Sequence, residues 1–176
     1  MTDHQHNDPR AKNAPVQGHH RDSIVTETSE DAYRHNAKYP RCTCPECGAF
    51  YQEGRWTWKK TDDPGESHIC PACARIRDAY PAGFLALHIQ PHAAQRKELL
   101  ELVANEAEAE RGEHPLNRVM STEDRGTEIM ISTTDNHLPR RIGKAIEHAF
   151  GGKLQVRQEP GAPVVHVTWT APGDRE

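Results

Sequence analysis

Residues 44–73 read CPECGAFYQEGRWTWKKTDDPGESHICPAC, and the two C-P-x-C tetrapeptides that bound this stretch decide how the first part of the chain folds. A spacing of two residues between cysteines puts both thiolates of a tight turn within reach of one ion. Two such knuckles complete the tetrahedral four-thiolate shell that zinc favours, which makes Cys44, Cys47, Cys70 and Cys73 the candidate ligands of one structural zinc ion. Pro45 and Gly48 suit the first turn, and Pro71 repeats the form in the second. The gap of 22 residues between the knuckles exceeds the usual ribbon spacing of about 15–20, which predicts a small hairpin within it. Tyr51–Lys59 supplies one arm, with Trp56 and Trp58 on the same face. Cys42, which stands as Cys42-x-Cys44, could replace Cys44 or be a free thiol. His68, two residues before Cys70, could substitute as a ligand. Neither repeats the knuckle spacing. Four thiolates leave no position for water at the metal, which argues against catalytic zinc, and paired knuckles without a βαβ pattern argue against thioredoxin-type chemistry.

Outward from this stretch the composition changes. The 176-residue chain has 35% hydrophobic residues, 13 Pro, 12 Gly and a mean hydropathy of -0.88, so part of it is expected to be loop-like or unfolded. All five cysteines fall between Cys42 and Cys73, a clustering that points to metal chemistry in a reducing compartment rather than to a disulfide framework. No apolar run approaches the roughly 20 residues needed to cross a bilayer, and the first residues lack a signal-peptide core. A cytoplasmic protein without a membrane contact is the expectation. Residues 1–40 contain few bulky apolar side chains and read as a disordered tail, as do residues 172–176. The histidines of the first segment (His4, His6, His19, His20 and His35) could bind metal weakly, but its composition favours a solvated polar tail.

On the other side of the cysteine module, assigned to 41–90, residues 91–112 read as a connecting helix rich in Ala, Leu, Glu and Lys, stopped by Gly112. Leu99, Leu100, Leu102 and Val103 give it an apolar face. Glu98, Glu101, Glu106, Glu108 and Glu110 make it acidic elsewhere, a surface open to solvent or to a protein partner. Residues 113–171 then alternate. Asn117–Ser121 and Thr127–Thr133 are strand candidates, TTDNHLPRRIGKAIEHAFGG (133–152) is a capped helix, and Lys153–Gln158 and Pro163–Thr170 are two further strands. Leu138, Ile142, Ala145, Ile146 and Ala149 form the core stripe of the helix. The fold class is therefore α+β: a four-cysteine zinc-ribbon-like module, a helix, and a small ββαββ antiparallel sheet domain.

The formal net charge of -4 argues against a strong nucleic-acid binder, but charge is uneven: residues 98–126 hold eight acidic side chains against three basic ones. On the helix near the C-terminus His137, Arg141, Lys144 and His148 share one stripe, flanked by Arg140. A basic stripe beside a small sheet suits phosphates, and equally suits an ordinary solvated face. Arg55, Lys59 and Lys60 in the cysteine module are candidates for the same or an adjoining surface. Tyr51, Trp56 and Trp58 could stack on bases or pack beneath the knuckles, where so small a module needs them. No Gly-rich phosphate loop, H-E-x-x-H or G-x-S-x-G motif is present, so no enzymatic activity is expected.

The runs CPECGAFYQEGRWTWKK, HICPACARIRDAYPAGFLALHIQ and GTEIMISTTDNHLPRRIGKAIEHAFGGKL resemble short bacterial relatives of the Nmd-three family, the adapters that bind the large ribosomal subunit. The similarity covers about Cys44–Trp169, with the knuckles as its specific part. The zinc part of that family usually carries cysteines for two ions, whereas the five here suffice for one. The resemblance implies a ribosome- or RNA-contacting module; joined to the basic stripe, it makes Arg140, Arg141 and Lys144 the residues offered to rRNA phosphates, with Arg55, Lys59 and Lys60 on the same or an adjoining surface.

Overall fold

The computed structural model describes Tyr33 and residues 40–90, 92–160 and 163–173. Apart from Tyr33 and Pro40, the expected tail with its histidines lies outside the described residues, as do the last three residues. Among the described residues, two mixed sheets and three helices make up the α+β fold. The first sheet contains β1 (Cys42–Thr43), β2 (Phe50–Gln52), β3 (Arg55–Thr57) and β4 (Glu66–Ser67) in the order β3-β2-β1-β4. Tyr51–Lys59 is not one arm of the expected hairpin but contains both arms except Phe50, which pairs with Thr57. Glu53 (φ 52°) and Gly54 (φ 81°) form the two-residue turn between β2 and β3, where both central residues take the left-handed conformation that matches strand twist. The second knuckle opens a short helix, α1 (Pro71–Arg77), with proline in its first turn.

The second sheet is larger than ββαββ. It has the order β6-β7-β5-β9-β8, built from β5 (Gly83–His88), β6 (Val119–Asp124), β7 (Glu128–Thr133), β8 (Lys153–Arg157) and β9 (Val165–Thr170). Its centre, β5, comes from within the range grouped with the cysteine module. This strand runs antiparallel to β7 and parallel to β9, so the sheet is mixed rather than wholly antiparallel. A parallel pair needs a long crossover, and here α2 (Arg96–Glu113), β6, β7, α3 (Leu138–Phe150) and β8 all lie between the two strands.

Both long helices cover one face of this sheet. Leu99 and Val103 of α2 and Leu138, Ile142 and Ile146 of α3 join Leu85, Leu87, Ile129, Ile131, Val165, Val167 and Trp169 in one core. Each such side chain contributes about 1.5–3 kcal/mol on burial. The stripe of α3 is narrower than its periodicity suggests: Ala149 is exposed and Ala145 half-buried, while Pro139 and Gly143 are buried. Gly143 lies where a Cβ would come within 2.8 Å of Leu154, so the helix seats low on the sheet edge. Leu100 and Leu102 are only half-buried.

Gly112 does not end α2, which continues to Glu113 and is closed by the His114 amide on the Glu110 carbonyl. A Cβ at Gly112 would meet nothing within 4 Å. Gly112→Ala is therefore expected to raise stability by about 0.5–1 kcal/mol, since the glycine only adds unfolded-state entropy. Urea denaturation checks this, and a loss of stability would show that the glycine serves a contact.

Candidate metal centre

In the first knuckle the Gly48 amide donates to the Cys44 carbonyl and the Cys44 amide to that of Ala49, both at 2.8 Å. Gly48 takes φ 75°, a conformation that costs a residue with a Cβ. In the second, Cys70 caps α1: its sulfur accepts the Cys73 amide at 3.4 Å, while its own amide donates to Cys44 Sγ at 3.3 Å. Backbone N–H groups directed at sulfur favour its thiolate form.

The Sγ atoms of Cys44, Cys47, Cys70 and Cys73 all lie within 4.8 Å of one another. Cys47 and Cys70 are 3.7 Å apart, close to the edge of about 3.8 Å expected of a sulfur tetrahedron around a metal at about 2.3 Å. The four fit one metal ion. Cys42 and His68 do not join them. Cys42 is buried in β1, paired with Tyr51, and its thiol is pushed up first by burial. His68 is exposed, with its backbone amide on the Thr43 carbonyl.

Burial and mutual contact push the sulfurs of the cluster in opposite directions. Cys47 is held down to about 4, first by the hydrogen bond with Cys70 and, with burial opposing, then by the Ala49 backbone and Arg118. Cys70 is driven up by that same bond and by burial, and Cys73 is pushed up to about 12, chiefly by burial. Crowded, desolvated sulfurs resist carrying several negative charges, and a divalent cation removes that resistance.

One cation is already present. Arg118, which precedes β6 and is 8% exposed, reaches across from the second unit. Its guanidinium donates to Cys47 Sγ at 3.1 Å and Cys73 Sγ at 3.4 Å, lies 3.8 Å from Cys70 Sγ, and bonds the Pro115 carbonyl at 2.6 Å. Burial works against its charge, and the contacts with Cys47 and Cys73 outweigh that and raise its pKa. The spacing of NRVM (117–120) gave no sign of this role, because it arises from docking of two units. Trp58 Nε1 donates to the Arg111 carbonyl at 2.6 Å at the same joint. Trp56 is buried against the cysteines, with Tyr51 and Trp58 packed half-buried beside it.

Beside this joint lies an open cleft of about 1080 Å³. Tyr51 and Arg55 of the hairpin line one part of it, and His137 at the N-cap of α3 with Arg140, Arg141 and Lys144 of that helix another. Four of the six basic candidates thus converge, while Lys59, Lys60 and His148 are not among the lining residues. Arg141 is largely neutralised, with Nε 3.1 Å from Glu106 and NH1 2.6 Å from Glu110. Glu110 is itself buried and accepts a hydrogen bond from Asn117. The acidic helix is therefore partly consumed within the molecule, although Glu98, Glu101 and Glu108 remain exposed. Among the described residues no helix is long and apolar enough to cross a membrane. Comparison with protein-family models, with curated proteins and with solved structures finds no match.

Proposed function

We propose that this chain is a non-catalytic structural-zinc protein that binds RNA, in the setting of the translation apparatus and its rRNA. All-sulfur tetrahedral coordination is the chemistry of zinc in closed, structural sites, and closure by four thiolates leaves the metal no water to activate. The observation that carries the RNA reading is the convergence of Arg55 with Arg140 and Lys144 on one cleft, from elements far apart in sequence. The likeness to ribosome-binding adapters supports it. Tyr51 adds an aromatic surface on the same wall, and such surfaces hold unpaired bases by stacking.

Three phosphate contacts to a single strand correspond to a slope of log affinity against log salt of about -2. The Arg55→Ala, Arg140→Ala, Lys144→Ala triple variant is expected to bind a fluorescent single-stranded RNA at least about tenfold more weakly and to lose most of that slope. Anisotropy titrations at two or more salt concentrations, with ribosome co-sedimentation alongside, make the test. Equal affinity and slope for both proteins would reject the cleft as the RNA site. A second reading, a zinc-dependent adapter for a protein partner, is favoured by the exposed Glu98, Glu101 and Glu108 on α2. Retention of a basic protein partner, with no RNA bound at low salt, would favour it.

A further inference from the structure

The turn that follows α1 is built with unusual care for a surface feature. Asp78 caps the helix, and Ala79 takes φ 49°, a left-handed conformation that costs an alanine about 1 kcal/mol. The Tyr80 amide then donates to the Arg75 carbonyl at 2.9 Å, and Arg75 NH1 donates back to the Tyr80 carbonyl at 3.1 Å. The result is a fixed group of three: the ring of Tyr80, 39% exposed, the carboxylate of Asp78, and the guanidinium of Arg75, itself only 6% exposed.

A planar ring already occupies this group. Tyr33, distant in sequence, stacks on Tyr80 with centroids 5.5 Å apart and planes 15° from parallel. The Arg75 guanidinium carbon lies 4.4 Å from the Tyr33 ring centre, and the Tyr33 hydroxyl donates to Asp78 Oδ2 at 2.6 Å. Stacking, a cation at the ring and an edge donor on a carboxylate are together the means by which a protein holds a nucleobase. Tyr33 also lines the basic cleft, so the slot it fills adjoins the path proposed for the RNA backbone.

We infer that the Arg75–Asp78–Tyr80 slot is a base-binding site, selective for guanine, which the chain's own Tyr33 fills in the absence of RNA. Guanine follows from the carboxylate, because among the common bases it alone presents two adjacent N–H donors, on N1 and N2, on one edge. Asp78 Oδ1 also receives Arg77 Nε at 3.2 Å, and each oxygen has a second lone pair for the base. This inference rests on the RNA-binding reading for its setting, while the slot itself is testable with a mononucleotide. Self-occupancy lowers apparent affinity by the fraction of molecules with the slot open.

The test compares the full-length zinc-loaded protein with Tyr33→Ala and with Tyr33→Ala, Asp78→Asn, using labelled UUUUU and UUGUU and, separately, guanosine monophosphate observed through the amide signals of residues 78–80. Tyr33→Ala is expected to bind UUGUU about five- to tenfold more tightly than the parent does, with little change for UUUUU, and Asp78→Asn is expected to erase the gain. Equal binding of both RNAs by parent and Tyr33→Ala overturns the slot and leaves the cleft reading intact. Perturbation of residues 78–80 by guanosine monophosphate in Tyr33→Ala, with neither RNA bound, keeps the slot and rejects the cleft. No response to any of these probes rejects both.

Discussion

Cys70→Ser is expected to purify with essentially no zinc, where the parent carries about one ion per chain, and with its first sheet unfolded. Cys70 is the most enclosed of the four thiols: it is fully buried, caps α1, touches Cys47 and receives Arg118. Binding of structural zinc contributes about 10–16 kcal/mol in isolated small modules, far more than strands of two or three residues around Trp56 supply from their own packing. The second sheet should survive, because its core from Leu85 to Trp169 contains no cysteine. Amide exchange would show fast exchange in β1–β3 and retained protection in β5, β7 and β9. Cys42→Ser is the control and should keep its metal, since Cys42 lies outside the sulfur cluster. Zinc retained in Cys70→Ser and lost in Cys42→Ser would reassign the ligands.

Arg118→Met should separate the two units while leaving each folded. Methionine fills much of the same space but removes donors to the Cys47 and Cys73 sulfurs and to the Pro115 carbonyl. Removing one partner of a buried charged set costs about 3–5 kcal/mol. The expected readouts are at least about tenfold faster transfer of zinc to a chelator and replacement of one thermal transition by two. Arg118→Lys should rescue little, because a point ammonium cannot span two sulfurs and a carbonyl as a planar fork does. An unchanged zinc release rate in Arg118→Met would reduce the arginine to a bystander at the joint.

The four-sulfur cluster was legible because knuckle chemistry is local: a spacing of two residues dictates where two sulfurs of one turn point, whatever the rest of the chain does. For the same reason β7, α3, β8 and β9 could be read within a few residues of their bounds from alternation and a 3.6-residue period. The strand β5 was missed although GFLALHI (83–89) is a short apolar run with Pro81 before it and Pro91 after it. Such a run lacks alternation when most of its outward-facing positions are also apolar, and of Phe84, Ala86 and His88 only the last is polar. Nor could the acidic face of α2 be told from open surface, because Glu106 and Glu110 acquire their partner, Arg141, only when α2 and α3 pack side by side.

By itself, then, the sequence determined the four sulfurs, the helix periods and the alternating strands, all consequences of forces acting over a few residues. The tertiary structure decided the rest: that a central parallel strand ties the cysteine module to the second sheet, that Arg118 crosses to the thiolates, that Arg55 meets Arg140 and Lys144 across one cleft, and that Tyr33 lies on Tyr80. Each of these joins residues whose separation along the chain carries no periodic signal. They meet because burying apolar faces and pairing buried charge leaves the two units few ways to dock, and neither condition can be evaluated until both surfaces exist.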